Sequence, residues 1–476
     1  MSPQPTLKAD GVRGGHPTLI PSGRDQETPS LQDNRSRLRA WLATGEVRLQ
    51  PLTYPQRELW ETSPVPANDA ENNICAIIRV RGALTPDGSE AALQKVVDRQ
   101  EVFRLSFLPG KTQPMQFIRT SGKPALQFQE LSPSQRSAPA IEDLAREIFQ
   151  QPFDLVQGPL YQAKVLSLGG DDHVLILSIH HAIADGWTLG VFVEDLFAAY
   201  VLGLRGSEAA LPPVPLSYTE WGAAERSFWQ GAQIEQRADY WKHHLGGVSR
   251  LWKESACGVL KRHVTTVPPV LGRAVRDLSR RYGATLFSTL LTAFQITLSK
   301  WTGNDDIIVG TPVANRNKQA VRQTAGYCSG IVPLRGRIDS ANSFADTLRG
   351  VHQSSVESFA NAMPFSELVR VLGCPTAPGY NPLFQVRFAL QNHPVPDVEM
   401  PGLALKLNMR STGTSRFDLA CEVNEHGEGL EVAWLFRDRM FGEDDINRLS
   451  CMFLSVLAGV CQTPEILILS LMNQQR

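Results

Sequence analysis

Cysteine is scarce in this sequence and follows no pattern. Seven occur in 476 residues: Cys75, Cys257, Cys328, Cys374, Cys421, Cys451 and Cys461. An odd, scattered set that is never spaced as CxxC argues against a disulfide framework and against a zinc site. It fits free thiols in a reducing cytoplasm, where the chain is expected to work. An excess of either charge is lacking as well, with 47 Lys and Arg against 48 Asp and Glu. A net charge of −1 supplies no overall field to recruit nucleic acid or an anionic membrane, so neither is expected as a partner. Long hydrophobic runs are absent too. "HVLILSI" and "EILILSLM" are far too short to cross a bilayer, and no basic segment followed by an apolar run marks a signal peptide.

What is present suits a large globular chain. At 42% hydrophobic and 20% charged residues, the composition supports two cores, and the length suits two lobes rather than one. Residues 1–33 are rich in Pro, Gly, Ser and charge without a hydrophobic period, and are expected to be disordered. Residues 34–50, around "SRLRAWLA", are expected to form a leader helix. A first lobe over 51–215 should end at the proline-rich connector "LPPVPLSY", with a second lobe over 216–476.

Both lobes read as mixed α/β. "NICAIIRVRG" is a strand candidate, and Ala92, Leu93, Val96 and Val97 then fall on one helical face. "DHVLILSIHH" is a nearly continuous apolar run suited to a central strand covered on both faces. The following "GWTLGVFVEDLFAAYVLG" reads as a helix with Thr188 as its N-cap. In the second lobe, "ATLFSTLLTAFQITLSKWTG" predicts a helix ending at Gly303, and "DIIVGTPV" a strand. Later come "NPLFQVRFALQN" and "FDLACEVNEHGEGLEVAWLF", the latter predicting two strands joined by a glycine turn.

The stretch "SIHHAIADGWT", Ser178 to Thr188, carries the chemistry. Strand residues alternate faces, so His180 and His181 should point in opposite directions and only one can face a given cavity. Asp185 lies beyond a tight turn, and Gly186 supplies the backbone freedom such a turn uses. The carboxylate can orient the ring or brace the loop from beneath. A core histidine beside a helix-start carboxylate would satisfy an isolated HxxxD spacing. A metal site lacks a third ligand at a familiar spacing, so none is expected. The full HHxxxDG string between a buried strand and an amphipathic helix is far more specific.

"IHHAIADGWTLG" resembles the core motif of nonribosomal peptide synthetase condensation domains, in the chloramphenicol acetyltransferase-like superfamily. Other stretches agree in order: "LTYPQRELW", "DRQEVFRLSF", "YTEW", "IIVGTPVANRN", "GYCSGIVPLR", "NAMPFSELV" and "YNPLFQV". The resemblance covers roughly residues 50–465. It departs at Gln100, where the family usually has His, and at "YCSGIVPLR", which replaces an aromatic-Val-Asn-Thr stretch near the expected substrate channel.

The resemblance implies an α/β fold of two chloramphenicol acetyltransferase-like lobes in a pseudo-dimeric V, with the active site in a tunnel between them. It implies that an acyl or peptidyl thioester on one carrier protein or domain is joined to an acceptor amine, usually on a second carrier, beside adjacent synthetase modules. The 4'-phosphopantetheine arm comes with the carrier; no cofactor bound by this chain is expected. His181 is implied as the group near the attacking amine, acting as base or by positioning it. Asp185 is implied to brace the loop through Arg316, and Gly186 to leave its backbone N–H exposed to the reacting centre. His180 is implied as structural support, and Trp187, Tyr327 and Ser329 as channel residues.

"HLGGVS", His244 to Ser249, mimics the LGGxS site where carriers receive the arm, but it lies inside the condensation pattern and reads as a glycine-rich loop. Heterocyclising relatives carry aspartates in place of the histidine pair. Epimerising relatives continue with Val-Ser-Trp after DG, and acyl-CoA-dependent plant enzymes carry DFGWG where "SRFDLA" stands here. Two alternatives remain: a freestanding acyltransferase moving a carrier-bound acyl group to a soluble amine or alcohol, and a catalytically silent platform that recruits carriers.

Overall fold

The computed structural model describes residues 39–62, 70, 72–108, 114–206, 208–248, 250–252, 258–375, 381–391, 399–400, 402–412 and 417–473. The segment expected to be disordered, 1–33, lies outside them, as do Cys257 and Ser249 of the LGGxS-like stretch. Two compact units divide the chain, Met1–Glu46 and Val47–Arg476. In the first, residues 39–43 form a helical turn, and the Thr44 N–H donates to the Ala40 carbonyl at 3.0 Å. The expected leader helix over 34–50 needs correction: Val47–Pro51 is a strand, so a helix through 50 is excluded.

The second unit holds the strands β1 (Val47–Pro51), β2 (Asn73–Arg81), β3 (Leu105–Leu108), β4 (Met115–Arg119), β5 (Leu126–Glu130), β6 (Tyr161–Ser167) and β7 (Asp172–His180) in its first half. In its second half come β8 (Leu260–Val267), β9 (Asp306–Val313), β10 (Gly330–Arg337), β11 (Val386–Gln391), β12 (Glu399–Met400), β13 (Leu403–Thr412), β14 (Leu419–His426) and β15 (Gly429–Arg437). They build two six-stranded sheets, ordered β12-β13-β2-β7-β6-β5 and β10-β9-β11-β14-β15-β8, and a small one, β1-β4-β3.

β7 is central in the first sheet and buried on both faces, which explains its continuous apolar run. Alternation sends Leu175, Leu177 and Ile179 into one core, with the helices Pro86–Arg99 and Gly186–Leu204. Val174 and Ile176 enter a smaller core under the helix Ala138–Phe149. In the helix Pro86–Arg99 the buried residues include Ala92, Leu93, Val96 and Val97, the face read from their spacing. The helix Gly186–Leu204 is long and apolar enough to cross a membrane by length and composition, but most of it is buried inside the fold, where Leu189, Phe192, Val193 and Leu196 join this core.

The second sheet packs the helices Leu286–Thr302, Phe344–Ala360 and Glu443–Gln462 around one core that includes Phe294, Phe388, Trp434 and Phe453. The first of these helices ends on Gly303 in the left-handed conformation (φ 73°), as its sequence predicts. β14 and β15 form the expected hairpin, turning at Gly427 (φ 58°).

A clean division at residue 216 does not describe the sheets. β13 crosses from the second half and pairs antiparallel with β2, from Ala404 opposite Arg81 to Thr412 opposite Ile74. It covers backbone groups of β2 that would otherwise form an open edge, and it buries Leu403 and Leu405 in the first core. Val321, Ala325, Tyr327 and Cys328 enter that core too. This exchange brings the loop after β9 against the end of β7.

Candidate active site at the end of the central strand

β7 stops at His180. His181 opens a 3-10 turn, His181–Ile183, rather than extending the strand as expected, and Ala184 leads into the helix beginning at Gly186. The two rings nevertheless diverge. His180 is 1% exposed, meets Phe153 edge-on at 6.3 Å, and its Nδ1 accepts the Ala182 N–H at 3.1 Å. Its Nε2 is buried without a hydrogen-bond partner. Burial, with His181 adjacent, pushes its pKa down to about 3, so the ring stays neutral in the fold.

His181 faces the other way, with its ring centroid 4.3 Å from that of Tyr327. Its Nδ1 lies 2.7 Å from the Ala184 carbonyl. A carbonyl oxygen only accepts, so Nδ1 carries the proton and the neutral ring has its lone pair on Nε2.

Asp185, not Thr188, is the N-cap of the helix. Its Oδ1 accepts the Thr188 N–H at 3.0 Å while the Thr188 hydroxyl accepts the Asp185 N–H at 3.3 Å, a reciprocal box that places Thr188 three residues inside. Oδ2 accepts from Arg316 Nη1 at 2.6 Å and from the backbone N–H groups of Cys328 and Ser329 at 3.1 and 3.0 Å. Burial raises the pKa of this carboxyl, but the Arg316 charge and the hydrogen bonds from Arg316 and Thr188 outweigh that effect and hold it below the ordinary range. A carboxylate whose two oxygens are committed in this way braces the loop; it has little capacity left for substrate.

Arg316, itself buried, also donates from Nη2 to the Gly326 carbonyl at 2.9 Å. Gly326 has φ 153°, and a Cβ there would meet the Tyr218 ring at 2.2 Å, so only glycine lets this loop close on the helix start. Gln100, the departure from the family pattern, tightens the same loop. Its side chain donates to the Gln323 carbonyl at 2.9 Å and accepts the Ala325 N–H at 3.0 Å.

His181, Asp185, Gly186, Trp187, Arg316, Tyr327 and Ser329 line one cavity of about 220 Å³. His180 does not, being sequestered behind the strand. Trp187 is held there by its Nε1–H donating to the Arg322 carbonyl at 2.9 Å, with the Arg316 guanidinium 5.7 Å from its ring. Gly186 and Trp187 are the first residues of the helix, where backbone N–H groups have no intrahelical acceptor. Glu58, Arg387 and Gln391 also line this cavity. Sequence reasoning passes over all three, although "LTYPQRELW" holds the first and "NPLFQVRFALQN" the other two. The available signal is a polar side chain in an otherwise apolar element. A second cavity of about 310 Å³ shares Glu58, Val313, Gly330 and Ile331 with the first.

A condensation-domain family model matches residues 47–473. The chain belongs to the condensation-domain family. It is 30% identical over 431 residues to a linear gramicidin synthase subunit of Brevibacillus parabrevis, covering 87% of this chain and 6% of that protein. The condensation chain therefore spans a small part of that relative's length. Among solved structures it shares its fold with the X-domain in a complex with OxyB from teicoplanin biosynthesis (TM-score 0.78, 20% identity, 90% of this chain and 96% of the other). It also shares it with the first condensation domain of the calcium-dependent antibiotic synthetase bound to a substrate analogue (TM-score 0.76, 19% identity, 89% and 98%). The chloramphenicol acetyltransferase-like fold expected from the sequence is thus the fold present.

The His180 environment yields a pH prediction. The folded pKa lies below that of the unfolded ring, so the native state binds fewer protons and stability falls as pH drops from about 6.5 toward 3. The slope from this group should approach about 1.4 kcal/mol per pH unit in that window. Asn at 180 keeps an acceptor for the Ala182 N–H without titrating. Chemical denaturation of His180→Asn across pH 4–7 should show a shallower loss than the parent; parallel curves would contradict the assignment.

Proposed function

We propose that this domain joins a carrier-bound acyl or peptidyl thioester to an acceptor amine in nonribosomal peptide biosynthesis. The observation that carries the reading is His181, whose Nδ1–H is fixed on the Ala184 carbonyl beside a helix start in a cavity. The amine nitrogen attacks the thioester carbon, the C–N bond forms, and the C–S bond breaks to release the pantetheine thiolate. The proton lost by the amine passes to His181 Nε2 and on to the departing sulfur. Backbone N–H groups of Gly186 and Trp187 stabilise the oxyanion as it develops. Asp185 and Arg316 position the loop, His180 supports the turn, and Trp187, Tyr327 and Ser329 shape the channel. The 4'-phosphopantetheine arm is part of the substrate, brought by donor and acceptor carriers, which with adjacent synthetase modules are the partners.

The test is intact-mass measurement of acyl-loaded carriers incubated with the protein and either amine or alcohol acceptors. Acyl loss with a matching amide product supports the reading, whereas an ester product alone supports the alcohol-accepting alternative. A carrier that binds yet is never discharged onto any acceptor would favour the recruiting platform.

A further inference from the structure

The stretches "LTYPQRELW" and "YTEW" hold buried polar side chains that reach the site from behind. Gln56, in the helix Tyr54–Thr62, is 2% exposed and lines neither of the two cavities. Its Nε2 donates to the Ala182 carbonyl at 3.1 Å, inside the turn that opens with His181. By the i to i+3 pattern of that turn the carbonyl would take the Asp185 N–H, which is bonded to the Thr188 hydroxyl instead. Gln56 therefore supplies the hydrogen bond that the turn leaves unmade.

Neighbouring groups force the orientation of this amide. Gln56 Oε1 accepts the Thr53 N–H at 2.9 Å, so Nε2 faces the Ala182 carbonyl, which can only accept. The other Nε2 hydrogen goes to Gln116 Oε1 at 3.0 Å, and Gln116 Nε2 donates in turn to the Pro51 carbonyl at 2.9 Å. Both amide hydrogens of Gln56 are committed. Thr53 reaches the opposite wall of the site. The Tyr218 hydroxyl donates to the Tyr327 carbonyl at 3.0 Å, which leaves Thr53 Oγ1 as the donor to Tyr218 at 2.9 Å. The Tyr327 ring stands 4.3 Å from that of His181, centroid to centroid. One helix start thus grips both the turn that carries His181 and the residue packed against its ring.

Resting on the condensation reading, we propose that Gln56 is a positioning residue for acyl transfer. By fixing the Ala182–Ile183 peptide it keeps the Ala184 carbonyl against His181 Nδ1–H, and so directs Nε2 at the attacking amine. Without Gln56 the buried Ala182 carbonyl loses its donor, and the turn relaxes away from this shape.

Gln56→Met keeps the length of the side chain and removes both donors. For transfer from a loaded carrier, kcat should fall about tenfold or more while the KM for the carrier stays within about twofold, because Gln56 touches no substrate. Gln116→Met, which leaves the Ala182 bond but removes the second anchor of the Gln56 amide, should lower kcat about threefold. Gln295→Met makes the same change at a fully buried glutamine of the helix Leu286–Thr302, and should lower the melting temperature but leave kcat unchanged. Ring-nitrogen NMR of the full chain labelled at histidine reads the same device without turnover, the His181 signals being those lost in His181→Asn. At mildly alkaline pH the parent should show Nδ1 protonated and Nε2 bare, and Gln56→Met a mixture of the two tautomers. Parental kcat in Gln56→Met, an unchanged His181 tautomer, or an equal loss of kcat in Gln295→Met at matched melting temperature would overturn the assignment. If Gln56→Met does not fold, a parental kcat in Gln116→Met would do the same. A parent that never discharges a carrier, yet whose His181 tautomer changes in Gln56→Met, would sink the condensation reading and leave the role of Gln56 standing.

Discussion

His181→Ala is expected to slow acyl transfer from a loaded carrier by at least about a hundredfold, with carrier binding intact. General acid–base groups typically contribute about 10²–10⁴-fold, and His181 is the imidazole in the cavity with a defined tautomer. The Ala184 carbonyl holds Nδ1–H, so the nitrogen that can accept a proton is not left to chance. His180 offers no substitute, because it is buried behind the strand and held neutral. His180→Ala should therefore act through stability and leave the rate of the surviving folded protein within a fewfold.

His181→Asn distinguishes base chemistry from positioning. An asparagine can hydrogen-bond an amine but cannot take its proton. A rate close to that of His181→Ala would mark proton transfer. Recovery of most of the rate by asparagine would mark positioning. A His181→Ala protein that discharges carriers at the parental rate would remove His181 from the mechanism altogether.

Much of this scaffold is legible because single elements carry their own signal. β7 shows as an unbroken apolar run, β14 and β15 as alternating strands around a glycine, and the helix ending at Gly303 by its cap. The helix at the site begins three residues earlier than its sequence suggests. Thr188 looks like a cap on its own, and only the reciprocal bonds with Asp185 show which residue is outside the helix. β13 is beyond sequence reading, since its partner β2 lies more than three hundred residues earlier and no local pattern encodes that register. The Asp185–Arg316 contact, 131 residues apart in sequence, is implied by family resemblance alone. Gln391 shows in sequence only as a polar side chain in an apolar strand, with nothing to mark the cavity it lines. What stays hidden, in each case, is the partner.

Arg316→Ala is expected to destabilise the folded domain by about 3–5 kcal/mol, and Asp185→Ala by a similar amount. Both partners are almost fully buried, with side chains 1% and 3% exposed. Removing Arg316 strands the Asp185 carboxylate and leaves the Gly326 carbonyl with the Thr188 hydroxyl as a donor, loosening the loop that holds Tyr327 and Ser329 against the cavity. Removing Asp185 additionally leaves the Ser329 N–H without its acceptor and takes one of two acceptors from the N–H groups of Cys328 and Thr188. Because the folded carboxyl has a lowered pKa, its share of stability is full above about pH 4 and fades as pH falls through the folded value. Asp185→Asn keeps the size and one acceptor but loses the charge, so it should cost less than alanine and flatten that acid limb. In a double-mutant cycle, Asp185→Asn combined with Arg316→Met should cost markedly less than the sum of the single changes, since neither partner is left as a lone buried ion. Additive costs in urea denaturation would show that the pair is not coupled and that the brace acts through the backbone contacts alone.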